Sequence, residues 1–113
     1  MEVEVRIQGT DSAEAIRRYA TRRIHFALGR FAPRVGRTVV RISDINGVRG
    51  GVDQCCQIRA ELLPKGKVVV DQVDADLFSA IDRASERIGH AFRREVQRVR
   101  DARTHRESVR TPA

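Results

Sequence analysis

The sequence predicts an α+β domain in the order β-α-β-β-β-α, with one four-stranded sheet and two helices packed on one of its faces. Three observations predict it. Apolar residues alternate through four short runs and recur at three- and four-residue spacing through two longer ones. Three consecutive strands read as antiparallel neighbours with a helix before and a helix after, an arrangement that covers one sheet face. The 113 residues, 41% hydrophobic and 33% charged, suffice for one cored domain and leave no room for a second.

Taken in order, Val3, Val5 and Ile7 alternate with Glu4 and Arg6 as a half-buried first strand. Asp11-Ser12-Ala13-Glu14 reads as a capping box opening the first helix. Ile16, Ala20, Ile24, Ala27 and Phe31 form its apolar stripe, and Pro33 and Gly36 end it. Arg18, Arg22 and His25 fall opposite that stripe, while Arg17, Arg23 and Arg30 flank it. Residues 37–43 give a second strand with Val40 and Ile42 inward, followed by the longest loop, 45–53, with Asn46-Gly47 and Gly50-Gly51. Cys56, Ile58, Ala60 and Leu62 alternate with Gln57, Arg59 and Glu61 as a third strand. Pro64-Lys65-Gly66-Lys67 is a hairpin turn into a fourth strand, 68–73. Asp76 is an N-cap for the second helix, whose buried stripe is Leu77, Ile81, Ala84, Ile88, Phe92 and Val99, with Val96 beside it. On its other side Arg83, Arg87, His90 and Arg94 step along at spacings of four, three and four, a cationic ridge about three turns long. The domain is expected to span 1–101, with 102–113 a short, basic, flexible tail.

Charge is informative by kind and by place. The chain has 22 Lys+Arg against 15 Asp+Glu and a pI near 10.9. Only Lys65 and Lys67 are lysines; the rest are arginines, the residue suited to bidentate phosphate contacts. Residues 13–37 hold seven Arg and one acid, and 83–113 hold nine Arg and four acids, whereas 44–82 carry four bases and seven acids. Basic charge therefore concentrates on the two helices, a segregated field that favours a polyanionic partner.

Other functions find little support. No apolar run approaches the ~20 residues of a membrane span, and acids occupy the N-terminus where a signal peptide needs a basic region. A soluble, cytoplasmic protein is expected. Cys55 and Cys56 are adjacent and so point to opposite faces of a strand, one core and one surface cysteine; no disulfide framework or C-x-x-C spacing is present. His25, His90 and His105 fall on solvent faces or the tail, and no phosphate-loop, dinucleotide or zinc-protease motif occurs. Asp71, Asp74, Asp76 and Asp82 read as a cap, an exposed helix position and two solvated strand positions. No enzyme activity, cofactor, metal or small-molecule substrate is expected.

The α-β-β-β-α order of double-stranded-RNA-binding domains is contained within this chain. Tyr19 and all four Phe lie on the expected helices, so the sheet offers no aromatic platform and recognition would rest on shape and phosphates. The stretch Asp76-Leu77-Phe78-Ser79-Ala80-Ile81-Asp82, ten residues after Gly66, resembles the signature of ribosome hibernation-promoting factors, also called ribosome-associated translation inhibitors. Glu14-Ala15-Ile16-Arg17-Arg18-Tyr19 followed by Arg23-Ile24 is similar to that family's first helix. The resemblance covers residues 1 to about 100.

What the resemblance implies is a domain that sits in the small ribosomal subunit over the mRNA and tRNA channel, contacts ribosomal RNA through basic residues on both helices, and silences idle ribosomes. Arg87, His90 and Arg94 match basic contact positions on the second helix, His90 standing where Arg or Lys is common; Arg17 and Arg23 match positions on the first. With Arg18, Arg22, Arg30 and Arg83 these make the expected RNA-binding set. The chain departs from the family in its longer 45–53 loop, in the lack of a C-terminal dimerisation domain, and in a basic rather than acidic tail. It reads as a short, single-domain, divergent branch, a monomer off the ribosome. The competing reading is a protein-interaction or dimerisation module using the open sheet face, where Glu4, Arg6, Val39, Arg41, Gln57 and Arg59 are mixed and mostly polar.

Overall fold

The structure is a computed structural model that describes residues 1–8, 13–44 and 54–109. Among the described residues, six regular elements and one 3₁₀ turn follow one another: β1 (Glu2–Ile7), α1 (Ala13–Leu28), a 3₁₀ helix (Gly29–Arg34), β2 (Val35–Asp44), β3 (Gln54–Leu62), β4 (Lys67–Asp74) and α2 (Leu77–Val109). The expected α+β order holds. The capping box at Asp11-Ser12 and the 45–53 loop lie outside the described residues.

The strands form one sheet in the order β1-β2-β3-β4. β2, β3 and β4 are antiparallel neighbours, while β1 joins the edge parallel to β2. Parallel pairing follows from the connection, because α1 carries the chain back across the sheet between these strands. Register puts one apolar row across the inner face, Val5, Val40, Ile58 and Val70. The adjacent row, Glu4, Val39, Arg59 and Val69, faces out, so a one-residue slip would exchange core for solvent. At the β3–β4 turn the Leu63–Pro64 peptide is cis and Gly66 takes φ +119°, a left-handed conformation that glycine adopts without a Cβ penalty.

Both helices cover the same face. On α1, Ile16, Ala20, Ile24 and Leu28 are buried at four-residue spacing. Leu28 thus ends the stripe where Ala27 was expected; Ala27 and Phe31 are partly buried beside it. On α2, Ala80, Ile81, Ala84, Ile88, Phe92 and Val96 are buried. Phe92 is wholly inaccessible and packs against Phe31 with ring centroids 5.5 Å apart; truncating such a side chain costs about 3–5 kcal/mol. The helices approach closely at Gly89, where a Cβ would lie 3.3 Å from the Ala27 carbonyl oxygen.

Two boundaries differ from expectation. Gly36 lies inside β2 and does not end a helix; α1 gives way to the 3₁₀ turn at Gly29. α2 continues to Val109, so 102–109, expected as a frayed tail, is helical. This long rod gives the molecule an extent of 68 Å against 22 and 17 Å in the other directions. Among the described residues, no helix is long and apolar enough to cross a membrane.

Candidate nucleic-acid interface

The outer face of α1 presents Arg18, Arg22 and His25, all exposed. Arg18 and Arg22 have no protein partner among the described residues, and they line a broad open surface with Arg17, Thr21 and His25. The α1 flank is different. Arg17 folds back so that its Nη1 donates to the Val5 carbonyl of β1 at 2.6 Å. Arg23 places its Nε 3.1 Å from Asp82 Oδ1 of α2, and the Tyr19 hydroxyl donates to the same carboxylate oxygen. The bond to Asp82, with burial and the Asp82 charge, raises the Tyr19 pKa above its ordinary value. Asp82, expected as an exposed helix position, therefore ties α2 to α1.

The ridge expected along α2 divides. Arg83 lies 3.4 Å from Asp74. Arg87 donates to the Asp71 carbonyl and, at 3.0 Å, to Gln72 Oε1, leaning toward β4. His90 turns the other way and borders a groove shared with α1. Arg94 is exposed and has no protein partner among the described residues. Because surface ion pairs are weak, Arg83 can exchange Asp74 for a phosphate at little cost, whereas Arg17 and Arg87 would reach a phosphate with the donors their internal bonds leave over.

The groove between α1 and α2 holds what the sequence reading missed. Phe26 stands 82% exposed there, with the Arg23 guanidinium carbon 5.7 Å from its ring centroid. Arg30 lies 5.9 Å from the Phe31 ring, and Arg93 joins them from α2. The available signal was position: Phe26 sits two residues beyond Ile24, hence off the apolar stripe.

The acids from β4 to the start of α2 are each engaged. Asp76 caps α2 by accepting from the Ser79 amide at 2.9 Å and its hydroxyl at 3.0 Å. Asp74 accepts from the Asp76 amide at 3.2 Å, and Asp71 Oδ1 accepts from Gln57 Nε2 at 3.0 Å. Among the described residues, no group of three or more His, Cys, Asp or Glu is placed to hold a metal. On the open sheet face Glu4 bridges Arg37 at 2.6 Å and Arg6 at 3.3 Å. The bond to Arg37, then that to Arg6, holds the Glu4 carboxyl below its usual range. Cys56 is buried, which pushes its thiol up to about 12, and half-exposed Cys55 is also raised, by burial and then by Asp71. Neither is an activated thiolate.

Residues 3–100 match the family model described as Sigma 54 modulation protein / S30EA ribosomal protein. The chain belongs to this family. The crystal structure of the Thermus thermophilus Protein Y N-terminal domain is 27% identical with a TM-score of 0.64, over 80% of this chain and 93% of that one. A ribosomal subunit interface protein from Coxiella burnetii, 12% identical, superposes with a TM-score of 0.67 over 85% of this chain and 99% of that one, and speaks to the fold alone. No curated protein matches the chain. Membership agrees with the resemblance drawn from the second helix, and the structure explains much of that signature physically. Asp76 caps, Ala80 and Ile81 are core, Asp82 ties the helices, and Phe78 meets Tyr19 edge-on at 4.9 Å.

Proposed function

We propose that this chain is a non-enzymatic, cytoplasmic, ribosome-associated factor of the S30EA family. It binds ribosomal RNA of the small subunit at the mRNA and tRNA channel through α1 and α2, and so holds translation off under stress or in stationary phase. One observation carries the reading beyond family membership. Arg18, Arg22 and Arg94 are exposed and without protein partners among the described residues, while Asp71, Asp74, Asp76 and Asp82 are each engaged by other groups. Unpaired guanidinium groups on a rigid helix supply phosphate contacts without first breaking a bond. The long α2 adds reach along an RNA-lined channel.

The test is co-sedimentation with ribosomes in moderate salt. Replacing Arg18, Arg22 and Arg94 together by Glu is expected to abolish binding while leaving the circular dichroism spectrum unchanged, since none of the three contributes to the core. A folded triple variant that sediments with ribosomes at wild-type affinity would remove these residues from the interface and the proposal with them.

A further inference from the structure

We infer that Phe26 and the groove beside it form a stacking site for one unpaired nucleobase of single-stranded RNA; the inference rests on the RNA-binding reading above and names the part of the RNA this groove takes. Phe26 is 82% exposed, and an aromatic ring left in water on the outside of a helix gains free energy only when something covers it. Its surroundings select what that is. Arg23 lies 5.7 Å from the ring centroid, and Arg30, His90 and Arg93 line the groove against a single acid there, Glu86. A π surface among guanidinium groups is the combination that holds a base by its face and its neighbouring phosphates by charge.

A second observation points into the same groove. Ser85 is 1% exposed, lines the groove wall, and its Oγ has no hydrogen-bond partner. Buried hydroxyls are nearly always satisfied; the Ser85 Oγ is covered in the free protein and gains a partner when the groove wall yields to a base edge, which carries both donors and acceptors. The groove, about 380 Å³ in volume, has room for one planar base. Bases within a duplex are stacked on one another and cannot present a free face, so the ligand is an unpaired base. The sheet's lack of aromatics led to an expectation of recognition without stacking; the aromatic is on α1 instead.

The chain contains no Trp, so a Phe26→Trp variant carries a single indole at the site. A single-stranded RNA hexamer of mixed sequence is expected to quench its fluorescence, and a duplex of the same length is not. In parallel, Phe26→Ala and Phe26→Leu are each expected to weaken ribosome binding roughly 5- to 150-fold, the range for losing one stacked base, with Phe26→Trp retaining affinity. Phe26 is outside the core, so all three variants fold. Absence of quenching, equal quenching by duplex, or a Phe26→Ala variant of wild-type affinity each overturns the inference. So does a Phe26→Leu variant that binds as well as wild type, because an apolar protein contact tolerates Leu and a stack does not. If wild-type protein fails to bind ribosomes, the proposed function falls, and the hexamer titration still decides the groove.

Discussion

Arg17 of α1 and Arg87 of α2 each donate a hydrogen bond to a strand carbonyl turned away from the sheet, Val5 O on β1 at 2.6 Å and Asp71 O on β4. β1 and β4 are the two edges of the sheet. The free edge of a sheet carries unpaired carbonyl and amide groups that recruit other strands, and here a guanidinium from each helix occupies one of those carbonyls. Both residues were expected to serve RNA binding alone. Their positions give them a structural task as well, which separates them from Arg18, Arg22 and Arg94.

That separation is measurable. Arg17→Ala is expected to cost about 1 kcal/mol, lowering Tm by several degrees in a domain of this size. Arg22→Ala is expected to leave Tm unchanged and to weaken ribosome binding. Thermal melts read against co-sedimentation give both values, and a wild-type melt for Arg17→Ala would mean that the edge bond contributes nothing.

Tyr19 is the only tyrosine and the chain has no Trp, so phenolate absorbance reports this one group. Its pKa is raised, first by the hydrogen bond to Asp82 and then by burial. A raised folded-state value means that the bond's contribution is complete below the unfolded Tyr value of about 10 and is lost as pH climbs through the folded one. The native titration midpoint is therefore expected above 10, and Asp82→Ala should return it toward the ordinary value. An identical midpoint in that variant would contradict the tie between α1 and α2.

Gly36 permits a close approach. A Cβ there would meet Glu61 Oε1 at 2.8 Å, Glu61 Cβ at 3.0 Å and the Leu63 side chain at 3.1 Å, and Glu61 Oε1 accepts from the Arg37 amide at 2.7 Å. Gly36→Ala is expected to displace Glu61, cost about 1 kcal/mol and speed hydrogen exchange at the Arg37 amide. Unchanged protection of that amide would show that Glu61 moves aside without losing its bond.

The strands and the two helices were legible because alternation and helical spacing report burial directly, as Val40, Ile58 and Val70 show. What the sequence concealed depends on partners far along the chain. Asp82 looks solvated until Tyr19, 63 positions away, is folded against it. Arg17 and Arg87 bond backbone carbonyls, which carry no residue-specific signal. Gly36 reads alike as a helix stop or as a close contact in a strand. The stripe of α1 was misassigned at Ala27 and Leu28 because spacings of three and of four after Ile24 both fit helical periodicity, and the chain keeps four, burying Leu28. Phe26 went unremarked because alternation and stripe analysis look for apolar residues that are hidden.

Inhibition by occupancy fixes both the salt dependence and the stoichiometry. Phosphate contacts release counterions, so neutralising ~5 phosphates gives a slope of roughly −3 to −5 for log affinity against log salt concentration. Losing Arg22 should reduce that slope by nearly one unit, whereas Phe26→Ala should lower affinity at every salt concentration without changing the slope, since stacking releases no counterion. Inhibition in a cell-free translation system should approach completion only as the protein approaches the ribosome concentration, and its removal should restore synthesis. mRNA or initiator tRNA bound beforehand should compete, because occupancy of one channel is exclusive. Complete inhibition at a small fraction of the ribosome concentration, or ribosomal RNA cleaved after exposure, would require turnover and so an active site on this chain.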